Sequence, residues 1–146
     1  EIASCLVGSE MCIRDSCSLV TGLPGKSETM RITGIIDRYL EHARIFQFCA
    51  AGEDKMFIGS ADWMPRNLNN RVEVVTPVYD PLIKEDLKRV IDYALQDNMQ
   101  GRCVDGTGRN LPWTTTDATP FRSQEALYQH YVETLQPVDA NPQEVE

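Results

Sequence analysis

The sequence lacks three features, and each absence excludes a class of protein. It has no run of about eighteen apolar residues, so it predicts no membrane-spanning helix. Its first residues lack a basic flank followed by an apolar stretch, which argues against a secretory signal. Its five cysteines form no Cys-x-x-Cys pair and have no regular spacing. This pattern argues against a zinc site or a disulfide framework and is typical of a reducing cytosol.

Basic residues are also scarce, and the net charge is −8. Such an acidic chain lacks the basic face that non-specific DNA binding needs, so we expect no nucleic-acid partner. The charge is uneven, because residues 1–73 hold eight Lys and Arg against ten Asp and Glu, whereas residues 74–146 hold six against twelve. Most of the negative charge therefore lies in the second half, and because the local field at a site matters more than the overall sum, the acidic total is no objection to an anion site in the first half.

One of the two histidines, His42, lies two residues before Arg44. A Gly59-Ser60-Ala61-Asp62 turn follows, and then Arg66 and Asn67. Arginine offers a planar fork of donors that matches phosphate oxygens, and histidine can move a proton near neutral pH. The segment suits the handling of a phosphoryl group, although an isolated His-x-Arg is more often a half-buried histidine beside surface charges.

Hydrophobic patterning and turn residues predict an α/β chain. Three strands are expected at 44–49, 55–59 and 72–76, with a hairpin through 51–54 between the first two and with Pro77 ending the third. Residues 30–40 fit helical spacing but carry β-branched residues that favour a strand.

The second half predicts two helices. Asp80 is the expected N-cap of the first, with Pro81 at its first position, an apolar stripe at 3.6 spacing and an end near Asn98. An extended piece at 102–105 leads to a Gly106–Gly108 turn. Ser123 is then the expected cap of a last helix that runs to about Leu135.

Four strings resemble the last domain of polyphosphate kinase, which moves the terminal phosphate of ATP onto inorganic polyphosphate and back. They are D-R-Y-L-E-H-A-R-I-F (37–46), S-A-D-W-M-P-R-N-L (60–68), R-V-E (71–73) and, upstream, C-S-L-V-T-G-L-P-G-K-S-E (17–28). The resemblance covers residues 17–135. It implies a C-terminal phospholipase D-like domain at 17–136, a non-native leader at 1–16 and a polar tail at 137–146. The implied fold is an α/β sandwich with a mixed sheet flanked by helices.

The His42-Ala43-Arg44 string, followed by Gly59-Ser60-Ala61-Asp62, resembles a relaxed phospholipase D signature. Arg44 stands where that signature has Lys, and Asp62 stands where it has Asn. Phospholipase D-like folds place two halves face to face, so that two histidines meet at one phosphorus. In polyphosphate kinase the histidine that becomes phosphorylated belongs to the earlier domain, and His42 matches the second histidine. The resemblance implies that His42 contacts the transferring phosphoryl group.

The resemblance also implies the remaining site residues. Phosphate or ATP contacts are expected from His42, Arg14, Arg44, Arg66 and Asn67, with Ser60 and Asp62 in support. Arg14 has the family's spacing of twenty-eight residues before His42, but Asp15 follows it where the family has Gly. Asp62 is expected either to orient His42 or Arg66, or to cap the turn. Two further expectations are that Arg71 and Glu73 form a surface pair and that His130 faces solvent.

The implied partners are ATP or ADP, inorganic polyphosphate and the preceding domains of the same enzyme, within a homo-oligomeric parent. Magnesium is the implied cofactor, with its ligands in a domain that this chain lacks, and the isolated piece is expected to be inactive. The implied location is cytoplasmic, or peripheral at the inner membrane. Two alternatives stay open: a phospholipase D-like phosphodiesterase or nuclease that pairs two copies of one domain, and a non-catalytic interaction domain.

Overall fold

The computed structural model describes residues 20–50, 52–62, 64–104, 109, 111–112 and 119–135, and the backbone of residues 2–3. Arg14 and the Gly106–Gly108 turn therefore lie outside the described residues. The elements in chain order are β1 (Ile2–Ala3), β2 (Thr33–Ile35), β3 (Ile45–Ala50), β4 (Glu53–Gly59), α1 (Pro65–Asn70), β5 (Val75–Val78), α2 (Pro81–Gln96), β6 (Gly101–Cys103), β7 (Leu111–Pro112) and α3 (Ser123–Thr134).

The described strands form two sheets, which confirms the predicted α/β class. One sheet has the order β1-β3-β4-β5 and the other the order β2-β6-β7. A mixed sheet was predicted, but the strand pairs described here are antiparallel. Antiparallel pairing suits β3 and β4, because a two-residue connection can join antiparallel strands but not parallel ones.

The predicted hairpin between β3 and β4 is confirmed, with a tighter turn than expected. The ladder runs from Ile45 opposite Ile58 to Ala50 opposite Glu53, so Glu53 belongs to the strand although the sequence placed it in the turn. Gly52 has a φ of 95°. That left-handed conformation favours glycine and allows the chain to reverse within two residues.

The strand predicted at 72–76 begins three residues later than expected. Pro77 does not end it but lies inside β5, opposite Phe57. Because β5 is at the edge of its sheet, a residue without an N–H group is tolerated there. The backbone of Val74 accepts a hydrogen bond from the Ser60 N–H at 3.0 Å, so this stretch joins the turn after β4 instead of the ladder.

Helix α2 agrees with the sequence prediction and builds the core against the first sheet. Asp80 is its N-cap and accepts hydrogen bonds from the N–H groups of Leu82 at 2.8 Å and Ile83 at 3.2 Å. Its buried Ile91 packs with Met56 of β4 and Val78 of β5. Full burial of one such side chain stabilises the fold by about 2 kcal/mol.

The last predicted helix is present as α3, but its cap was assigned to the wrong residue. Arg122 is the N-cap, and the Ser123 hydroxyl donates to Asp97 at 2.7 Å. Of the ambiguous residues 30–40, only Thr33–Ile35 form a strand. Within the described part of the chain, no helix is long and apolar enough to cross a membrane.

Candidate functional site

The two sequence motifs meet at one edge of the first sheet, where β3 begins and β4 ends. Ile45 pairs with Ile58, and the Gly59 N–H donates to the Arg44 carbonyl at 3.0 Å. The segment that contains His42 leads into β3 at this edge, and the Ser60–Asp62 turn follows β4 at the same edge. The hairpin therefore brings together motifs that are well separated in the sequence.

Gly59 is required at this edge by close packing. A Cβ atom added there would lie 3.1 Å from the Phe46 ring and 3.2 Å from both the Val74 carbonyl oxygen and a Val75 methyl group. A larger residue would push β5 away from the turn, so glycine keeps the Ser60–Asp62 turn against the sheet.

Asp62 orients Arg44, whereas the sequence predicted that it would orient His42 or Arg66, or cap the turn. The Arg44 Nε atom lies 2.8 Å from Asp62 Oδ1 in an ion pair whose side chains are 27% and 30% exposed. The Nη1 atom of the same guanidinium donates to the His42 carbonyl oxygen at 3.0 Å. Arg44 thus ties the backbone of the histidine to the turn after β4.

Glu73 bridges the turn and α1, although the sequence predicted only a surface pair with Arg71. Its carboxylate accepts from the Ser60 hydroxyl at 2.5 Å and from Asn67 Nδ2 at 2.8 Å. These two hydrogen bonds hold the pKa of Glu73 below its usual value, and the one from Ser60 has the larger effect. The positive charges of Arg71 and Arg44 lower this pKa by a smaller amount. We call Ser60, Asn67, Glu73, Arg44 and Asp62 the edge network.

The predicted phosphate contacts differ in accessibility. Asn67 is only 3% exposed, its Nδ2 is engaged by Glu73, and its buried Oδ1 has no hydrogen-bond partner among the described residues. His42 and Arg66 are exposed, and in the described part of the chain neither side chain has a hydrogen-bond or ion-pair partner. His130, expected in solvent, is half-buried with its ring 5.5 Å from that of Tyr131.

A second group of residues, which the sequence did not predict, holds the segment before His42 against the start of α3. Asp37 forms an ion pair with Arg122, whose Nε lies 2.8 Å from Oδ2. The Arg122 hydrogen bond is the main reason that the pKa of Asp37 is lowered. Asp37 belongs to the D-R-Y-L-E-H string, but nothing in the spacing identifies a partner eighty-five residues away.

Asp97 fixes the start of α3. Its Oδ1 accepts from the N–H groups of Met99, Gln100 and Gly101, and its Oδ2 accepts from the N–H and hydroxyl of Ser123. Burial alone would raise the pKa of Asp97, but these donors outweigh burial and hold it below the ordinary value of 3.8. We call this group the α3 network; it consists of Asp37, Asp97, Arg122, Ser123 and Gln124.

Within the described residues, no group of three or more His, Cys, Asp or Glu side chains could hold a metal ion. The described residues therefore do not fit a magnesium site. That the magnesium ligands belong to another domain stays a prediction.

A protein-family model described as "Polyphosphate kinase C-terminal domain 2" matches residues 2–124. The match begins inside the segment predicted to be a leader, and the predicted domain boundaries stay predictions. A crystal structure of polyphosphate kinase from Porphyromonas gingivalis superposes with a TM-score of 0.74 at 37% identity, covering 79% of this chain and 18% of that one. The likeness supports the predicted α/β fold.

Curated relatives named polyphosphate kinase cover most of the chain. That of Rhodopirellula baltica is 44% identical over 123 residues, or 83% of this chain and 14% of the relative. Those of Parasynechococcus marenigrum and Escherichia coli K12 are 48% and 37% identical, over 86% and 85% of this chain and 18% of each relative. The chain thus spans less than a fifth of the length of these relatives.

Proposed function

The chain belongs to the family of polyphosphate kinase C-terminal domains, and we propose that it supplies one half of the active site of a longer polyphosphate kinase. The reaction is the reversible transfer of the terminal phosphate of ATP to inorganic polyphosphate. The other half, including the histidine that takes the phosphate covalently, belongs to a preceding domain of the same enzyme.

The proposal rests on the exposure of the His42 side chain and on the hydrogen bond that holds its backbone. Its side chain is exposed and has no hydrogen-bond or ion-pair partner among the described residues, while its backbone is tied to Arg44. A histidine held in place with its ring free is suited to contact a ligand brought from outside the domain. A histidine used for packing would instead be buried or paired within the fold.

The chemistry that we assign to these residues is positioning and charge stabilisation. His42 donates a hydrogen bond to an oxygen of the transferring phosphoryl group and stabilises the charge that develops there. Arg44, oriented by Asp62, and the exposed Arg66 add positive charge on the same phosphate chain. Ser60 and Asn67 support the site without contacting the phosphate. Both donate hydrogen bonds to Glu73 and thereby stabilise the turn after β4.

Other features follow from the family resemblance and stay predictions. They are the magnesium requirement, a homo-oligomeric parent, and a location in the cytoplasm or at the inner membrane. A contact between Arg14 and the nucleotide phosphate is also a prediction, since Arg14 lies outside the described residues.

Replacement of His42 in the full-length parent enzyme tests the proposal. We expect His42→Ala to lower the rate of polyphosphate synthesis by at least about a hundredfold, the usual scale for a positioned acid–base or charge-stabilising group. His130→Ala is the matched control, because it changes the only other histidine of the chain, and it should leave the rate nearly unchanged. Equal effects of the two changes would refute the proposed role of His42.

A further inference from the structure

The segment that carries His42 has no regular secondary structure. It lies between the end of β2 at Ile35 and the start of β3 at Ile45, and we call residues 36–44 the strap. A segment outside helices and strands lacks a repeating backbone hydrogen-bond pattern, so its shape depends on individual contacts. The position of His42 is therefore set by whatever holds the strap.

Gln124 makes three of the contacts that hold the strap. Its Oε1 accepts from the Tyr39 N–H at 2.8 Å, and its Nε2 donates to the Tyr39 carbonyl at 2.8 Å and to Glu41 Oε1 at 2.7 Å. The carboxamide thus satisfies both backbone groups of Tyr39, which a carboxylate of the same size cannot do because it has no donor. Gln124 is only 8% exposed, so water cannot readily replace these bonds.

The residues just before Gln124 are themselves held by buried or paired carboxylates. It follows Ser123, whose N–H and hydroxyl are bonded to the fully buried Asp97, and it lies two residues after Arg122, which pairs with Asp37 of the strap. The strap therefore lies against a helix start that is itself bonded to a buried carboxylate. This arrangement transmits the geometry of α3 to a segment more than eighty residues earlier.

We infer that Gln124 is a positioning residue for His42, holding the strap through Tyr39 and Glu41 so that the imidazole is presented to the phosphoryl group. The inference rests on the function proposed for His42. It adds that the site extends to the start of α3, although Gln124 itself does not touch the substrate.

The test is Gln124→Glu in the full-length parent enzyme, a change that keeps the size of the side chain. The introduced carboxylate can still accept from the Tyr39 N–H, but it leaves the Tyr39 carbonyl without a donor and faces the Glu41 carboxylate. We expect kcat to fall by about tenfold or more, because a small misplacement of a catalytic group is costly, with KM for ATP changed by less than about twofold. Gln129→Glu is the matched control, since exposed Gln129 on the same helix faces Glu125 at 3.4 Å, and it should be neutral.

A rescue variant keeps the test decisive if the single change harms folding. In Glu41→Gln/Gln124→Glu the donor and acceptor are exchanged, so the carboxylate on α3 accepts from both the Tyr39 N–H and the new carboxamide on the strap. The Tyr39 carbonyl still lacks a donor in this variant, so we expect it to regain only the part of kcat and of the melting temperature that the two facing carboxylates removed. A normal kcat for Gln124→Glu would overturn the inference. So would a double variant that melts at a higher temperature than Gln124→Glu but has the same kcat, because restoring the contact between residue 124 and the strap would then not restore His42.

The same assay separates this inference from the function on which it rests. If His42→Ala is fully active, the proposed function fails. If His42→Ala is inactive but Gln124→Glu is as active as Gln129→Glu, only the positioning role of Gln124 fails.

Discussion

The sheet edge that carries His42 and Arg66 and the start of α3 both hold polar side chains, but they differ in how far these side chains are buried. At the sheet edge, Arg44 and Asp62 are partly exposed, and His42 and Arg66 face solvent without a protein partner in the described structure. At the start of α3, Asp97 is 0% exposed and accepts five hydrogen bonds. The comparison indicates that the fold leaves polar groups open where a ligand is proposed to bind, and buries and satisfies them where a loop must keep its shape.

The largest effect that would break this contrast is expected at Asp97. Asp97→Asn removes the charge and turns a donor toward the N–H and hydroxyl of Ser123 or toward the N–H groups on the other side. We expect the free energy of unfolding of the chain to fall by about 3 kcal/mol, measured by urea denaturation at pH 7. Asp92→Asn is the matched control, because Asp92 pairs with Lys88 at 2.7 Å on the surface of α2 and its replacement should change stability by less than about 1 kcal/mol.

The same pair of variants gives a pH test. The pKa of Asp97 is lowered in the folded state, so its ionised form contributes stability at neutral pH that is lost as the pH falls through the folded-state pKa, below about 4. The stability difference between wild type and Asp97→Asn should therefore shrink on acidification below pH 4. A difference that stays constant from pH 7 to pH 3 would show that the Asp97 charge does not hold α3.

A smaller effect, on the open side of the comparison, is expected at Arg66. Arg66→Lys keeps the charge but loses the planar fork of donors. If Arg66 grips phosphate, the change in the parent enzyme should weaken the use of ATP or polyphosphate by about tenfold and leave the melting temperature unchanged. Arg31→Lys, at an exposed arginine before β2, is the control.

A lower melting temperature together with lower activity would make Arg66 a clamp on the turn instead. Unchanged activity with unchanged melting would rule out both roles. Either result would weaken the view that the sheet edge is kept open for a ligand.

The parts of the fold that the sequence predicted well are set by local patterns. The β3–β4 hairpin follows from alternating apolar residues and a glycine turn, and α2 follows from the Asp80-Pro81 start and its apolar stripe. The start of β5 was predicted wrongly because Val72 and Val74 have strand propensity, yet Val74 bonds with Ser60 outside the ladder.

The α3 network could not be predicted from local patterns. Ser123 is a residue type and position typical of a helix N-cap, but its hydroxyl donates instead to the buried carboxylate of Asp97, twenty-six residues earlier. The candidate site could be predicted only in part, because some of its contacts also join residues that are distant in the sequence. Spacing marked Ser60 and Asp62, whereas the bridge through Glu73 depends on where β5 folds back onto the turn.

The location of the covalently held phosphate tests most directly whether this chain supplies only half of an active site. The 146-residue chain and the full-length parent would each be incubated with radiolabelled ATP and magnesium, and acid-labile phosphohistidine would be mapped by peptide analysis. We predict no labelled protein for the chain alone and, for the parent, a label on a histidine that precedes this chain. A stable acid-labile label on His42 or His130 would contradict the proposal.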